Sequence, residues 1–270
     1  MKSKTELKNP RYFTKKTIGI LDIEFSPIQI PELLAQMDTK ITAKKRTYLA
    51  FANAEYVLNL ADSPLLHIYL KRADYVLPDA SSIVWASRKL SKLPENRLQN
   101  RVTGTDFQYA LMEWCAKNNK KLYVFGGSAE NNKKGLENAR KLYPKLKIDG
   151  RDGYFDPADS MRVIKKINQS RADVLMVCFG NPRQEEWLMT YADQLKVCVQ
   201  FGNGGAIDFL AGTAVRAPLW MQKAGFEWLW RLFQDLTWRG FSKRFRRQTR
   251  LLLFVWMVWL QSIDNNLVKK

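Results

Sequence analysis

Asp79 stands in Leu77-Pro78-Asp79-Ala80-Ser81-Ser82, ahead of a helical pattern that begins at Ile83. A carboxylate there is either a helix cap or a general base at the mouth of a sheet, tuned by partial burial and nearby charge. Arg101-Val102-Thr103-Gly104-Thr105-Asp106 joins a cation, a tight glycine turn and a second acid, just before a helix predicted over Phe107 to Asn118. Asp106 reads equally well as an N-cap. Arg101 could neutralise a diphosphate through paired hydrogen bonds, a geometry that lysine cannot copy. Gln184 and Glu185 open another helix, where the dipole alone already favours an acid, so Glu185 is a modest candidate. Asn53 is a turn former or a hydrogen-bond partner for ligand hydroxyls.

Short apolar runs must position these residues. The clearest strands are Tyr48 to Ala52, Tyr75 to Leu77, Leu122 to Phe125, Val174 to Phe179 and Val197 to Phe201. Between them lie helical patterns over Ala54 to Leu60, Ser82 to Leu90, Phe107 to Asn118, Asn131 to Leu142, Asp159 to Gln169 and Gln184 to Ala192. That alternation predicts an α/β fold, and the unbroken Val/Leu/Phe runs predict parallel strands buried on both faces. Each strand runs into a polar or glycine-rich turn: Asn53, Pro78-Asp79, Gly126-Gly127-Ser128, Gly180-Asn181-Pro182, and Gly202-Asn203-Gly204-Gly205. Parallel sheets bind ligands at their carboxyl edge. Glycines there admit a close ligand, and the helix starts that follow direct N–H groups at anions. Five such turns on a basic chain favour a phosphate-bearing ligand.

The chain has 270 residues, with 44 Lys+Arg against 26 Asp+Glu and a net charge of +18. With 46% hydrophobic residues it can bury enough apolar surface to fold, which excludes a disordered chain. Cys115, Cys178 and Cys198 lack CxxC spacing and read as reduced thiols. His67 is the single histidine, which excludes every His-cluster zinc site and any Ser-His-Asp triad built on another histidine. Acids are scattered without an Asp-x-Asp triplet, so a metal-independent mechanism with no cofactor is expected.

Arg239 to Arg250 (RGFSKRFRRQTR) carries six cations and no acid, and Leu251 to Leu260 follows as ten apolar residues. Ten is about half of what a membrane-crossing helix needs. The pair suits a segment lying in the interface of an anionic leaflet, or a terminal helix docked on the core. The amino-terminal stretch has no apolar core of a signal peptide. The stretch Lys89 to Asn100 reads as an exposed loop. From Arg216 the alternation stops, predicting a catalytic α/β domain over 1–215 and a basic, aromatic helical appendage over 216–270. Trp220, Trp228, Trp230 and Trp238 fit packing better than base stacking, so nucleic acid is not the expected partner, although a nucleic-acid-binding protein using the basic tail stays open.

Taken together, the motifs resemble the WecG/TagA/CpsF family of bacterial glycosyltransferases, glycosyltransferase family 26. The residues that carry the resemblance run in order from Asn53-Ala54-Glu55 to Gly225-Phe226-Glu227-Trp228-Leu229-Trp230-Arg231-Leu232. Between them stand the Asp79 and Arg101 motifs, Asp152-Gly153-Tyr154-Phe155, Gly180 to Glu185, Gly202 to Asp208 and Arg216-Ala217-Pro218. The resemblance implies a compact Rossmann-like fold of the GT-E type with a membrane-binding appendage. It implies inverting transfer of N-acetylmannosamine, its uronic acid, glucose or a related hexose. The donor is a UDP-sugar and the acceptor a polyprenyl-diphosphate-linked sugar. The setting is the cytoplasmic face of the bacterial inner membrane, where the enzyme binds peripherally during cell-wall or exopolysaccharide assembly. It also implies homo-oligomerisation that competes with exposure of the appendage. An inactive sugar-nucleotide-binding relative is the other competing class.

Carried over by residue, Asp79 matches the base that deprotonates the acceptor hydroxyl. Asn53, Arg101 and Gln184 match polar groups of the pocket, and Arg231 and, approximately, Arg239 match appendage arginines that fold over the diphosphate. Gly104, Asp106, Gly127 and Gly204 complete the expected substrate-binding set. Four features depart from the family pattern: Ala80 replaces a glycine after the acid, Phe51 replaces a small polar residue, Asp235-Leu236-Thr237-Trp238-Arg239 replaces Glu-Pro-x-Arg, and the Lys89 to Asn100 loop is longer than usual.

Overall fold

A computed structural model describes residues 17–223, 227, 229–230 and 250–263. Its centre is a six-stranded parallel sheet of order β4-β3-β8-β7-β5-β6. The strands are β3 (Thr47–Ala52), β4 (Tyr75–Pro78), β5 (Lys121–Gly126), β6 (Lys147–Arg151), β7 (Val174–Cys178) and β8 (Val199–Gly202). Every residue of β3, β7 and β8 is buried, as their unbroken apolar runs require of strands covered on both faces. Side chains alternate between two cores. Tyr48, Ala50 and Ala52 of β3 enter one, while Leu49 and Phe51 enter the other.

The first core is closed by α2 (Ala54–Asn59), α3 (Pro64–Arg72), α4 (Ser81–Leu90), α7 (Ser160–Gln169) and α8 (Arg183–Thr190). The second lies under α1 (Ile30–Thr42), α5 (Gly104–Lys117), α6 (Ala129–Leu142) and α9 (Ala206–Ala211). Phe51 packs there against Phe107 and Phe201 with ring centroids 5.1 and 5.6 Å away.

Several elements lie outside the predicted set. β6 reads Lys-Ile-Asp-Gly-Arg and has no apolar run, because an edge strand needs only Ile148 in the core. The hairpin of β1 (Ile18–Ile20) and β2 (Ile23–Phe25) turns on Leu21 and Asp22, both with positive φ, too short a pattern to stand out. The stretch expected as an exposed loop from Lys89 is helical through Leu90 and then pinned by buried Leu98, whose N–H donates to Ser87 Oγ at 3.0 Å.

Beyond the sheet, α10 (Leu219–Lys223) is followed by a helix over 250–263. Phe254 and Val258 of that helix are fully buried in the first core, and Gln261 Oε1 accepts from Leu21 N–H at 3.3 Å. Its other side presents Leu252, Trp256 and Trp259, each at least half exposed. Among the described residues no helix is long and apolar enough to cross a membrane.

Candidate functional site

β3 leads into α2 on one face of the sheet, whereas its neighbour β8 leads into α9 on the other. Chains that part in this way leave a crevice at the carboxyl ends of the strands. Asn53, at the end of β3, caps α2 by accepting from Tyr56 N–H at 3.0 Å.

Asp79 follows β4, and its N–H donates to Ala52 O at 3.0 Å, which holds it beside Asn53. The N-cap of the helix that follows is Ala80, without a side-chain bond, so Asp79 does not cap its own helix. Its Oδ1 instead accepts from the N–H of Gly104, the first residue of α5, at 2.8 Å. Val102 N–H donates to Pro78 O at 2.8 Å and draws the whole 101–106 turn against β4. The carboxylate is partly exposed and faces the helix start that its negative charge favours.

Thr103, not Asp106, is the N-cap of α5. Its hydroxyl accepts from Asp106 N–H at 3.0 Å and donates to Asp106 Oδ2 at 2.7 Å. Asp106 is then engaged by Arg216 Nη1 through Oδ1. Burial works against the charge on Asp106, but the Arg216 and Thr103 hydrogen bonds, helped by Arg101, hold its carboxyl below the usual range. Arg216 Nε and Nη2 are buried and have no hydrogen-bond partner among the described residues. Arg101, mostly shielded, donates to Glu227 Oε2 at 3.0 Å. The α5 start is thus tied at two points to the chain beyond residue 215.

Gln184 and Glu185 lie buried in the first turn of α8. Gln184 Oε1 accepts from Gly180 N–H at 3.1 Å, and its Nε2 donates to Glu185 Oε1 at 2.8 Å. Glu185 Oε2 accepts from Asn181 Nδ2 at 3.0 Å, and Asn181 Oδ1 from Asn59 Nδ2 at 2.6 Å. Burial pushes the Glu185 carboxyl up to about 7, against the downward pull of the Gln184 and Asn181 hydrogen bonds. A Cβ on Gly202 would lie 2.4 Å from Gln184 Nε2, and one on Gly204 only 2.6 Å from the Gly180 Cα. Asn203 closes the row: its Nδ2 donates to Gly104 O at 2.9 Å.

Contacts therefore run from Asp79 through Gly104, Asn203 and Gly204 to Gln184, with Arg101, Asp106 and Asn53 on their flanks. Gly127, with φ of +72°, lies further along the row against Ile207 and Cys178. Among the described residues, no hydrogen bond joins it directly to the Asp79–Gln184 set. Arg231 and Arg239 lie outside the described residues. A separate polar trench of about 720 Å³ runs between β6 and α7, at the far edge from β4.

Four contributors were missing from the expected set. Asn203 stands between glycines that by themselves account for a turn. Asn181, Arg216 and Glu227 acquire their importance through partners far away in sequence, which spacing does not reveal. Chemically, the assembly offers a partly exposed carboxylate, backbone N–H groups, buried guanidinium donors and turns open to close approach. That set suits a phosphorylated, hydroxyl-bearing ligand.

Residues 18–267 match the model of the glycosyl transferase WecG/TagA/CpsF family. Relatives from Staphylococcus aureus strains MW2, MRSA252 and NCTC 8325 are each 28% identical over 225 residues, covering 81% of this chain and 85% of theirs. All three are named N-acetylglucosaminyldiphosphoundecaprenol N-acetyl-beta-D-mannosaminyltransferase.

Proposed function

The chain belongs to the glycosyl transferase WecG/TagA/CpsF family, and from that premise we propose that it moves a hexose-type sugar, with inversion, from a UDP-sugar to a polyprenyl-diphosphate-linked sugar. The observation that carries this reading is the Asp79–Gly104–Asn203–Gly204–Gln184 row at the carboxyl edge of the sheet. The names of the staphylococcal relatives support the acceptor class.

In the proposed displacement Asp79 takes the proton of the acceptor hydroxyl as it attacks the anomeric carbon. The hydrogen bond from Gly104 fixes the direction in which the carboxylate points. UDP leaves as charge builds on its diphosphate, and preorganised donors stabilise that charge. Arg101 supplies one such donor by exchanging or sharing Glu227, and Arg216 supplies two more, its buried Nε and Nη2. Arg231 and Arg239 of the appendage are proposed to complete the countercharge. Asn53 and Gln184 are assigned to hydroxyl and backbone contacts around the sugar.

The protein works at an anionic membrane surface as a peripheral enzyme, on the cytoplasmic side where the sugar nucleotide is supplied. The exposed Leu252, Trp256 and Trp259, which follow the cations of residues 239–250 in the sequence, support this placement. The boundary between catalytic domain and appendage is proposed to fall between residues 215 and 216.

The test is UDP release measured with UDP-glucose, UDP-glucuronate, UDP-N-acetylmannosamine and its uronate, each with and without a synthetic lipid-diphosphate sugar. Acceptor-dependent release from one donor is expected. Binding of UDP without release from any donor would favour an inactive relative.

A further inference from the structure

Glu185 is an acid buried in the part of the site built from the amides of Asn181 and Gln184 and the glycines around them. Buried charges persist where they are fully hydrogen-bonded and where something depends on them. Here both oxygens are used, Oε1 by Gln184 and Oε2 by Asn181. An ionised carboxylate only accepts hydrogen bonds, so each neighbouring amide must turn its NH2 toward it. The oxygen of each amide then points away. Gln184 Oε1 reaches Gly180 N–H, and Asn181 Oδ1 reaches Asn59. Gly180 N–H can only donate, so the orientation of Gln184 is dictated from both ends.

We propose that Glu185 is a positioning residue: its ionised carboxylate locks the Gln184 amide edge-on between Gly180, Gly202 and Gly204, and so sets the shape of the turns that face the ligand. Without that lock the Gln184 amide can rotate, and Gly180 loses its acceptor. There is little room to absorb the change, because a Cβ at Gly202 or Gly204 would already collide with Gln184 or with Gly180. The inference rests on the reading of this crevice as a sugar-nucleotide site.

Protonation of Glu185 would turn one acceptor into a donor and set it against an amide NH2. The groups that face it deepen this sensitivity. Glu186 on the same helix adds repulsion. Tyr56 of α2 and Tyr69 of α3, both buried, are held well above their ordinary pKa by burial and by the Glu185 charge, and so stay neutral. The Tyr56 hydroxyl has no hydrogen-bond partner among the described residues. With the carboxyl raised to about 7, the lock forms as pH rises through neutrality.

The experiment measures UDP affinity of the full-length protein by calorimetry from pH 5.5 to 8.5, for wild type, Glu185→Gln and Glu185→Asp. In parallel, NMR follows the Gln184 side-chain amide and the Gly180 N–H of the wild type without ligand. The expected wild-type affinity rises with pH through about 7. Glu185→Gln should bind about tenfold more weakly at pH 8, as loss of one well-placed hydrogen bond predicts, and match wild type at pH 5.5. UDP's own phosphate ionisation is common to all three proteins and cancels in the comparison. Glu185→Asp should recover the pH step, and the Gln184 and Gly180 signals should titrate together. Identical pH profiles in wild type and Glu185→Gln, or Gln184 and Gly180 signals that do not move with pH, would overturn the proposal. If Glu185→Gln fails to fold, the NMR titration of the wild type decides alone. Failure of wild type to bind UDP at any pH, with the titration intact, would remove the sugar-nucleotide reading and leave the lock standing.

Discussion

The carboxylate of Asp79 caps a helix twenty-five residues further along the chain: its Oδ1 accepts from Gly104 N–H at 2.8 Å. One bond thereby joins the end of β4 to the start of α5 and fixes one oxygen of the acid, whose backbone N–H is held beside Asn53 by Ala52 O. Capping and base catalysis, which look like competing explanations in the sequence, place the same demand on the side chain. An oriented carboxylate with a fixed first oxygen is what a base requires.

Of the parts of UDP, Arg101 and Arg216 are expected to grip the diphosphate and not the uridine. Arg101→Ala and Arg216→Ala should each weaken UDP binding about tenfold or more, since hydrogen bonds to charged groups are worth roughly 1.5–3 kcal/mol. Affinity for uridine should stay within about twofold, as that ligand lacks phosphates. Equal losses for UDP and uridine, measured by calorimetry, would move these arginines out of the diphosphate site. Arg101→Lys should resemble Arg101→Ala because a lysine keeps charge but not the planar fork.

Glu185 also gives stability a pH dependence of definite sign. Its carboxyl ionises near its ordinary 4.5 when unfolded and near about 7 when folded. Between those values the folded chain holds a proton that the unfolded chain has released. The contribution to stability is therefore complete below 4.5 and is lost as pH rises through 7. Thermal melts of wild type minus Glu185→Gln should show the wild type losing relative stability from pH 5 to 8. A flat difference would mean that Glu185 titrates normally.

Gly204 is constrained by backbone, since an added Cβ would sit 2.6 Å from the Gly180 Cα and 2.9 Å from its N. Gly204→Ala must separate two ligand-facing turns, so UDP affinity should fall by more than about tenfold. Gly205, which has only an ordinary contact to Phe209 at 3.7 Å, should accept alanine with little change in binding. The pair of affinities separates crowding in the crevice from a general loss of stability.

The helix over 250–263 is expected to hold the protein on lipid through its outer face. Replacing Trp256 and Trp259 together by serine should reduce flotation with anionic vesicles several-fold, because both rings are more than half exposed and their burial in the interface is lost. Phe254 and Val258 are untouched, so the melting temperature should change little. Undiminished flotation would put membrane contact elsewhere.

The sheet was legible wherever burial on both faces forced a continuous apolar run, as in Thr47–Ala52 and Val174–Cys178. It was not legible at β6, where an edge position tolerates Lys147, Asp149 and Arg151. Of the site, the strand-end turns could be read because glycine and asparagine mark them. The partners could not. Neither the Asp79–Gly104 bond nor the Arg101–Glu227 pair, which is 126 residues apart in sequence, follows from local pattern. Glu185 was hidden by a sufficient local reason, the helix dipole, and only the packing of α8 reveals that its carboxylate faces inward onto Asn181 and Gln184.

The most direct test of the central claim is acceptor-dependent UDP release by purified Asp79→Asn against wild type, with UDP affinity measured on the same samples. Asparagine keeps an oxygen for Gly104 but cannot take a proton. The expected result is turnover lower by about 10²- to 10⁴-fold with UDP affinity nearly unchanged. Turnover close to wild type would contradict the account.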